Sequence, residues 1–179
     1  SKYLHEGLSI NYVEANTNIN TNYEARVILA YILKKDLSYL YSHDEDILTD
    51  LQFEQYFSII KFRAKGEPLA YLLGECGFWN LILSINKSVL VPRAETELLI
   101  EKVINNYNEK NRNYKILDLG AGSGAIGLAL AKEYPNSKVI ATDISIEAID
   151  IAKINAGNNN IRNIIFLEGS WYNAFKNIC

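Results

Sequence analysis

The segment Ile116-Leu117-Asp118-Leu119-Gly120-Ala121-Gly122-Ser123-Gly124, with Asp143 closing the next apolar run, constrains this chain more than any other part of it. A short apolar strand, a glycine-rich turn and a helical run succeed one another there without a linker. Glycine is needed in such a turn where a ligand must approach the backbone more closely than any Cβ permits, or where φ is positive. The turn is therefore read as a nucleotide-type site at a helix N-terminus.

Two ligand classes compete for it. Gly120, Gly122 and Ala125 also meet the G-x-G-x-x-G/A spacing of a dinucleotide site, and Asp143 stands about twenty residues on. Asp118 separates the two, because dinucleotide sites usually carry an apolar side chain at that place. A carboxylate about 4 Å from an opposite unit charge is worth roughly 4 kcal/mol at an effective dielectric of about 20, and beside a like charge it costs as much. A pyrophosphate would be repelled. S-adenosylmethionine carries an ammonium and a sulfonium, so Asp118 would attract its amino-acid end while Asp143 accepts hydrogen bonds from its ribose. The remaining alternative is a turn whose glycines only permit close packing, with Asp143 capping the next helix.

Apolar residues make up 49% of the 179, enough for one good core or two small ones. The formal net charge of −3, with both signs mixed throughout, argues against an extended nucleic-acid footprint, so no direct nucleic-acid partner is expected. Cys76 and Cys179 are far apart and accompanied only by His5 and His43, which supports neither a disulfide framework nor a metal site. No apolar stretch approaches the roughly 18 residues a membrane helix needs, and no leader pattern opens the chain, so a cytoplasmic location is expected.

Along the chain, an early helix is expected near Leu4 to Ala15. Thr21 and Glu24 have capping-box form ahead of Ala25, Ile28, Leu29, Ile32 and Leu33, which recur at helical spacing. A short helix is expected near Leu37 to Tyr41. Thr49 and Gln52 repeat the capping pattern before Phe53, Tyr56, Phe57 and Ile60, in a helix ending near Gly66 and Pro68. The aromatic residues of this bundle are read as core. Phe78-Trp79 and Leu81 to Ile85, separated by Asn80, predict a β-hairpin between the bundle and the C-terminal part of the chain. Glu95 to Ile104 reads as a helix with acids in its first turn. The pattern then becomes strand (Lys115 to Leu119), helix (Ala125 to Glu133), strand (Lys138 to Thr142), helix (Ile146 to Asn155) and strand (Ile164 to Leu167). Such alternation implies a parallel sheet with right-handed crossovers and ligands beyond the strands' carboxyl ends. The fold expected is α/β: a helical domain over 1–69, a hairpin linker over 70–91, and a partial Rossmann-like domain over 92–179.

Arg63, Gly66-Glu67-Pro68, Ala70-Tyr71, Gly74, Phe78-Trp79, Val91-Pro92-Arg93 and Glu95-Thr96-Glu97, together with Asp118 to Gly124, Asp143 and Gly169-Ser170-Trp171, resemble a known family. It is that of the protein-(glutamine-N5) methyltransferases of peptide chain release factors, within the class I S-adenosylmethionine-dependent methyltransferases. The resemblance implies S-adenosylmethionine as cofactor and a release factor as protein substrate, methylated on the glutamine of its Gly-Gly-Gln motif, by an enzyme expected to be a monomer. It also implies roles for single residues. Gly120, Ala121, Gly122, Ser123 and Gly124 would cradle the methionine part, Asp143 the ribose, and Trp171 would lie against the adenine. Arg93, Glu95 and Thr96 would organise the cleft, or else only start a helix with a buried ion pair.

Two departures from the family accompany these expectations. Ser170 stands where many relatives have Asp, and a hydroxyl accepts from the adenine amino group more weakly than a carboxylate. The chain reaches Cys179 before the Asn-Pro-Pro-Tyr loop that in the family holds the glutamine amide, so it is read as part of a longer protein and expected to be inactive alone. Three other readings stay open: a methyltransferase acting on adenine or another protein amide, a non-catalytic module that binds release factors, and a nicotinamide-dependent oxidoreductase.

Overall fold

The computed structural model describes residues 22–175, so the early helix expected near Leu4 to Ala15 and the cap at Thr21 lie outside them. The chain divides into two compact units, 1–73 and 74–179.

The first unit contains α1 (Asn22–Leu33), α2 (Leu37–Ser42), α3 (Asp50–Arg63) and α4 (Leu69–Leu73). Asp36 caps α2 by accepting from the Tyr39 amide at 2.8 Å. At α3 the expected capping box is complete, with the Thr49 hydroxyl accepting from the Gln52 amide and the Gln52 side chain accepting from the Thr49 amide. Ile28, Leu29, Ala30, Leu40, Leu48, Tyr56 and Ile60 form the core. Glu24 accepts from Arg63 Nε at 2.7 Å and from a second guanidinium nitrogen at 3.0 Å, which ties the first turn of α1 to the last turn of α3.

The aromatic residues of this unit divide, contrary to the expectation that they are core. Tyr56 is fully buried, whereas Tyr23 is 66%, Tyr41 68%, Phe57 39% and Phe62 49% exposed. A helix buries one stripe. On α3 that stripe runs through Tyr56 and Ile60, and Phe57 falls at its margin, its ring 4.6 Å from that of Phe53.

In the second unit, β1 (Glu75–Phe78) and β2 (Leu81–Ser84) form an antiparallel hairpin. Its turn holds Trp79 at φ 54. A 3-10 turn (Ala94–Thr96) leads into α5 (Glu97–Asn106), followed by β3 (Lys115–Leu119), α6 (Ala125–Glu133), β4 (Lys138–Asp143), α7 (Ile146–Asn158) and β5 (Ile164–Glu168). The three last strands make a parallel sheet in the order β3-β4-β5. Val139 and Ala141 are buried on the face covered by α6, whereas the cross-strand row Leu117, Ile140, Ile165 on the other face leaves Leu117 43% and Ile165 58% exposed.

The hairpin, expected as a linker, packs within the second unit. Trp79 Nε1 donates to Glu133 at 2.9 Å, the Trp79 amide donates to Glu97 at 2.6 Å, and Lys132 donates to the Asn80 carbonyl at 2.7 Å. Lys110 is also paired with Glu133. Burial would raise the Glu133 carboxyl, but the bonds from Lys110 and Trp79 and the charges of Lys110 and Lys132 outweigh it, holding the group below its ordinary value. A lowered carboxyl stabilises the fold above its ordinary value, and that stabilisation is lost as the pH falls through the lowered one. Glu133→Gln is therefore expected to cost about 1–2 kcal/mol at neutral pH. Urea denaturation across a pH series checks this: the gap between variant and unaltered protein should narrow below pH 4.5.

Candidate functional site

The site forms where β3, β4 and β5 end. Gly120, Gly122 and Gly124 have φ of 79°, 54° and 81°, so the turn needs the left-handed conformation that glycine adopts without strain. A Cβ on Gly120 or Gly122 would meet no atom within 4 Å, which leaves the backbone open to close approach from outside. The turn is held from below, since the amides of Gly120 and Ala121 donate to the Thr142 carbonyl at 2.8 and 2.9 Å.

Asp143, at the end of β4, spans this turn and the next helix. One oxygen accepts from the Gly122 amide at 2.8 Å and the other from the Ser145 amide at 3.0 Å. Ser145 in turn caps α7, its hydroxyl accepting from Ala148 at 3.1 Å. A carboxylate has about four acceptor positions, so lone pairs remain for a ligand hydroxyl.

Asp118 is buried on β3, and its Oδ2 accepts from the Gly127 amide in the first turn of α6 at 2.9 Å. Burial pushes its carboxyl up, the Gly127 bond opposes this, and the Asp143 charge adds to the rise. A helix N-terminus favours negative groups, and Asp118 supplies one to the first turn of α6.

A cavity of about 260 Å³ opens beside Asp143, lined by Leu119, Gly120, Thr142, Asp143, Ile144, Gly169, Ser170 and Trp171, with Asp118 outside the lining. Ser170 and Trp171 thus share a wall with Gly120 and Asp143, while Arg93, Glu95 and Thr96 lie outside that lining, at the start of α5. Arg93 and Glu95 are exposed, and among the described residues they form no ion pair with each other. Trp171 is 70% exposed, so its ring is free to stack. Removing it with Trp171→Ala is expected to weaken adenosine-containing ligands by roughly 1–3 kcal/mol, the range for aromatic stacking on a base. Calorimetry with adenosine, alongside circular dichroism showing unchanged helix content, checks this.

Sequence reasoning missed two residues. Gly127 lies outside the glycine turn, on the face of α6 toward the sheet, and its lack of a side chain gives Asp118 access to the amide. Thr142 lines the cavity with its hydroxyl buried and without a hydrogen-bond partner, a feature that only the fold reveals.

The arrangement fits S-adenosylmethionine. Its ribose suits Asp143, the one carboxylate in the cavity lining, Asp118 is buried outside that lining, and no cation in the lining would offset a pyrophosphate. Among the described residues, no group of three or more His, Cys, Asp or Glu is placed to hold a metal ion, and no helix is long and apolar enough to cross a membrane.

The fold and this site define a methyltransferase domain, and residues 110–178 match the family model of that description. Residues 15–74 match the PrmC N-terminal domain. The chain is 39% identical over 151 residues to the release factor glutamine methyltransferase of Xylella fastidiosa, covering 84% of this chain and 54% of that protein. To the enzymes of that name from Coxiella burnetii and Francisella tularensis it is 42% and 41% identical, over 84% and 87% of this chain and 54% and 55% of theirs. Over the residues it contains, the chain is similar to release factor glutamine methyltransferases on both sides of the hairpin. It spans about half the length of these curated relatives.

Proposed function

We propose that the protein transfers a methyl group from S-adenosylmethionine to the side-chain amide of the glutamine in the Gly-Gly-Gln motif of a peptide chain release factor, as a cytoplasmic monomer without direct nucleic-acid contact. The observation that carries the cofactor half of this reading is the Asp118 bond to Gly127. It sets a negative group in the first turn of the helix where a dinucleotide phosphate would bind, and so favours a cationic ligand over an anionic one. The acceptor half rests on the likeness to release factor glutamine methyltransferases on both sides of the hairpin.

When bound, S-adenosylmethionine supplies a methyl group made electrophilic by its sulfonium. The residues of this chain bind and orient. Asp118 attracts the ammonium, Gly120 to Gly124 admit the amino-acid end against the backbone, Asp143 accepts from the ribose, and Trp171 and Ser170 meet the adenine. Arg93, Glu95 and Thr96 shape the approach from the start of α5. An amide nitrogen is a poor nucleophile, so such transfer depends on holding donor and acceptor in line at about 3–3.5 Å.

The test is to incubate the full-length protein with a release factor and isotopically labelled S-adenosylmethionine, then sequence the Gly-Gly-Gln peptide by mass spectrometry. One labelled methyl on the glutamine is expected. Label on another residue, or none from a protein that binds the cofactor, would contradict the proposed acceptor.

A further inference from the structure

Asn155 on α7 and Asn159 at its C-terminal cap both bond to the hairpin, and Asn155 joins it to the glycine turn. Asn155 is fully buried. Its Oδ1 accepts from the Ser84 amide at 2.6 Å, and its Nδ2 donates to the Ser84 carbonyl at 3.1 Å and to the Ser123 carbonyl at 2.9 Å. One helical turn on, Asn159 repeats the two-way bond on Ile82, accepting from its amide at 3.3 Å and donating to its carbonyl at 2.8 Å. Four helical residues advance about 6 Å and two strand residues about 6.6 Å, so these side chains meet alternate residues of β2. Side-chain amides thereby pair the backbone groups that β2 turns away from β1.

The third bond of Asn155 goes to the carbonyl of Ser123 inside the turn, whereas that of Asn159 goes to the Asn155 carbonyl of its own helix. Ala152 lies three residues earlier on α7, and a Cβ on Gly124 would stand 3.1 Å from its own. The same face of α7 therefore touches both the turn and the hairpin. A buried amide with three partners cannot follow one of them without leaving another unpaired where water does not reach.

We propose that Asn155 is a positioning residue that couples the glycine turn to the hairpin, so that a ligand in the turn orders β2 and the hairpin in turn sets the affinity of the turn. This rests on the reading of the turn as the S-adenosylmethionine site. Coupling of this kind is reciprocal: whatever the ligand does to β2, a change at the clamp does to the ligand.

Full-length protein, Asn155→Ala and Asn159→Ala are compared by calorimetry with S-adenosylhomocysteine and by hydrogen exchange at the Ile82 and Ser84 amides. In the unaltered protein the ligand is expected to slow exchange at both amides. Asn155→Ala is expected to abolish that response and weaken binding about tenfold. Asn159→Ala should speed exchange in β2 yet keep the response, with affinity within about twofold. If the ligand binds the unaltered protein without slowing β2, or if Asn155→Ala keeps both affinity and response, the proposal is overturned while the cofactor reading stands. If the unaltered protein does not bind S-adenosylhomocysteine, the cofactor reading falls and the proposal with it.

Discussion

Asp143→Asn is expected to weaken S-adenosylhomocysteine binding by roughly 10- to 100-fold, or about 1–3 kcal/mol. The carboxylate answers two backbone donors at once, Gly122 at 2.8 Å and Ser145 at 3.0 Å. Asparagine has one oxygen, so its NH2 must face one of those amides, donor against donor. Either the glycine turn or the start of α7 then loses its anchor. The substitution also removes the charge that strengthens bonds from the ribose hydroxyls. The turn and the ribose contact would therefore fail together. Unchanged affinity would remove Asp143 from the site.

The second large effect is expected at Gly127. A Cβ there would meet Asp118 Oδ2 at 3.0 Å, Ile164 Cδ1 at 3.2 Å and Ala141 Cβ at 3.6 Å. Gly127→Val adds two further methyl groups to that space and should destabilise the second unit by about 3 kcal/mol, at the upper end of overpacking costs. Alanine is a milder case, because its helix propensity, about 1 kcal/mol better than glycine, offsets part of the crowding. Valine should also push Asp118 off the Gly127 amide, leaving a buried carboxylate without its donor. Urea denaturation compares the two variants; a Gly127→Val protein as stable as the parent would show that α6 does not need its close approach to β3.

The strands and helices of the second unit are legible in the sequence because each carries its own local signal. Lys115–Leu119 and Ala125–Glu133 fall where the sequence pattern sets them, since apolar runs and a glycine turn fix both ends. The capping box at Thr49 is legible for the same reason, being completed within four residues. The side chains of the site are less so. Asp118 stands out in the sequence as an unusual carboxylate, but its bond to Gly127 joins a strand to a helix and depends on their packing. Asn155 offers no local sign at all, because its partners, Ser84 and Ser123, lie 71 and 32 residues away. The aromatic residues of α3 mislead for a related reason: hydrophobic character says that a side chain can be buried, and only the helix's angle on its neighbours decides between Tyr56 and Phe57.

The most direct test is titration calorimetry of the full-length protein with S-adenosylhomocysteine and, separately, with NAD. With the Asp118 carboxylate in the first turn of α6 and no cation lining the cavity, S-adenosylhomocysteine should bind one to one and NAD should give no signal. NAD binding, with S-adenosylhomocysteine giving none, would contradict the assignment of the glycine turn to S-adenosylmethionine.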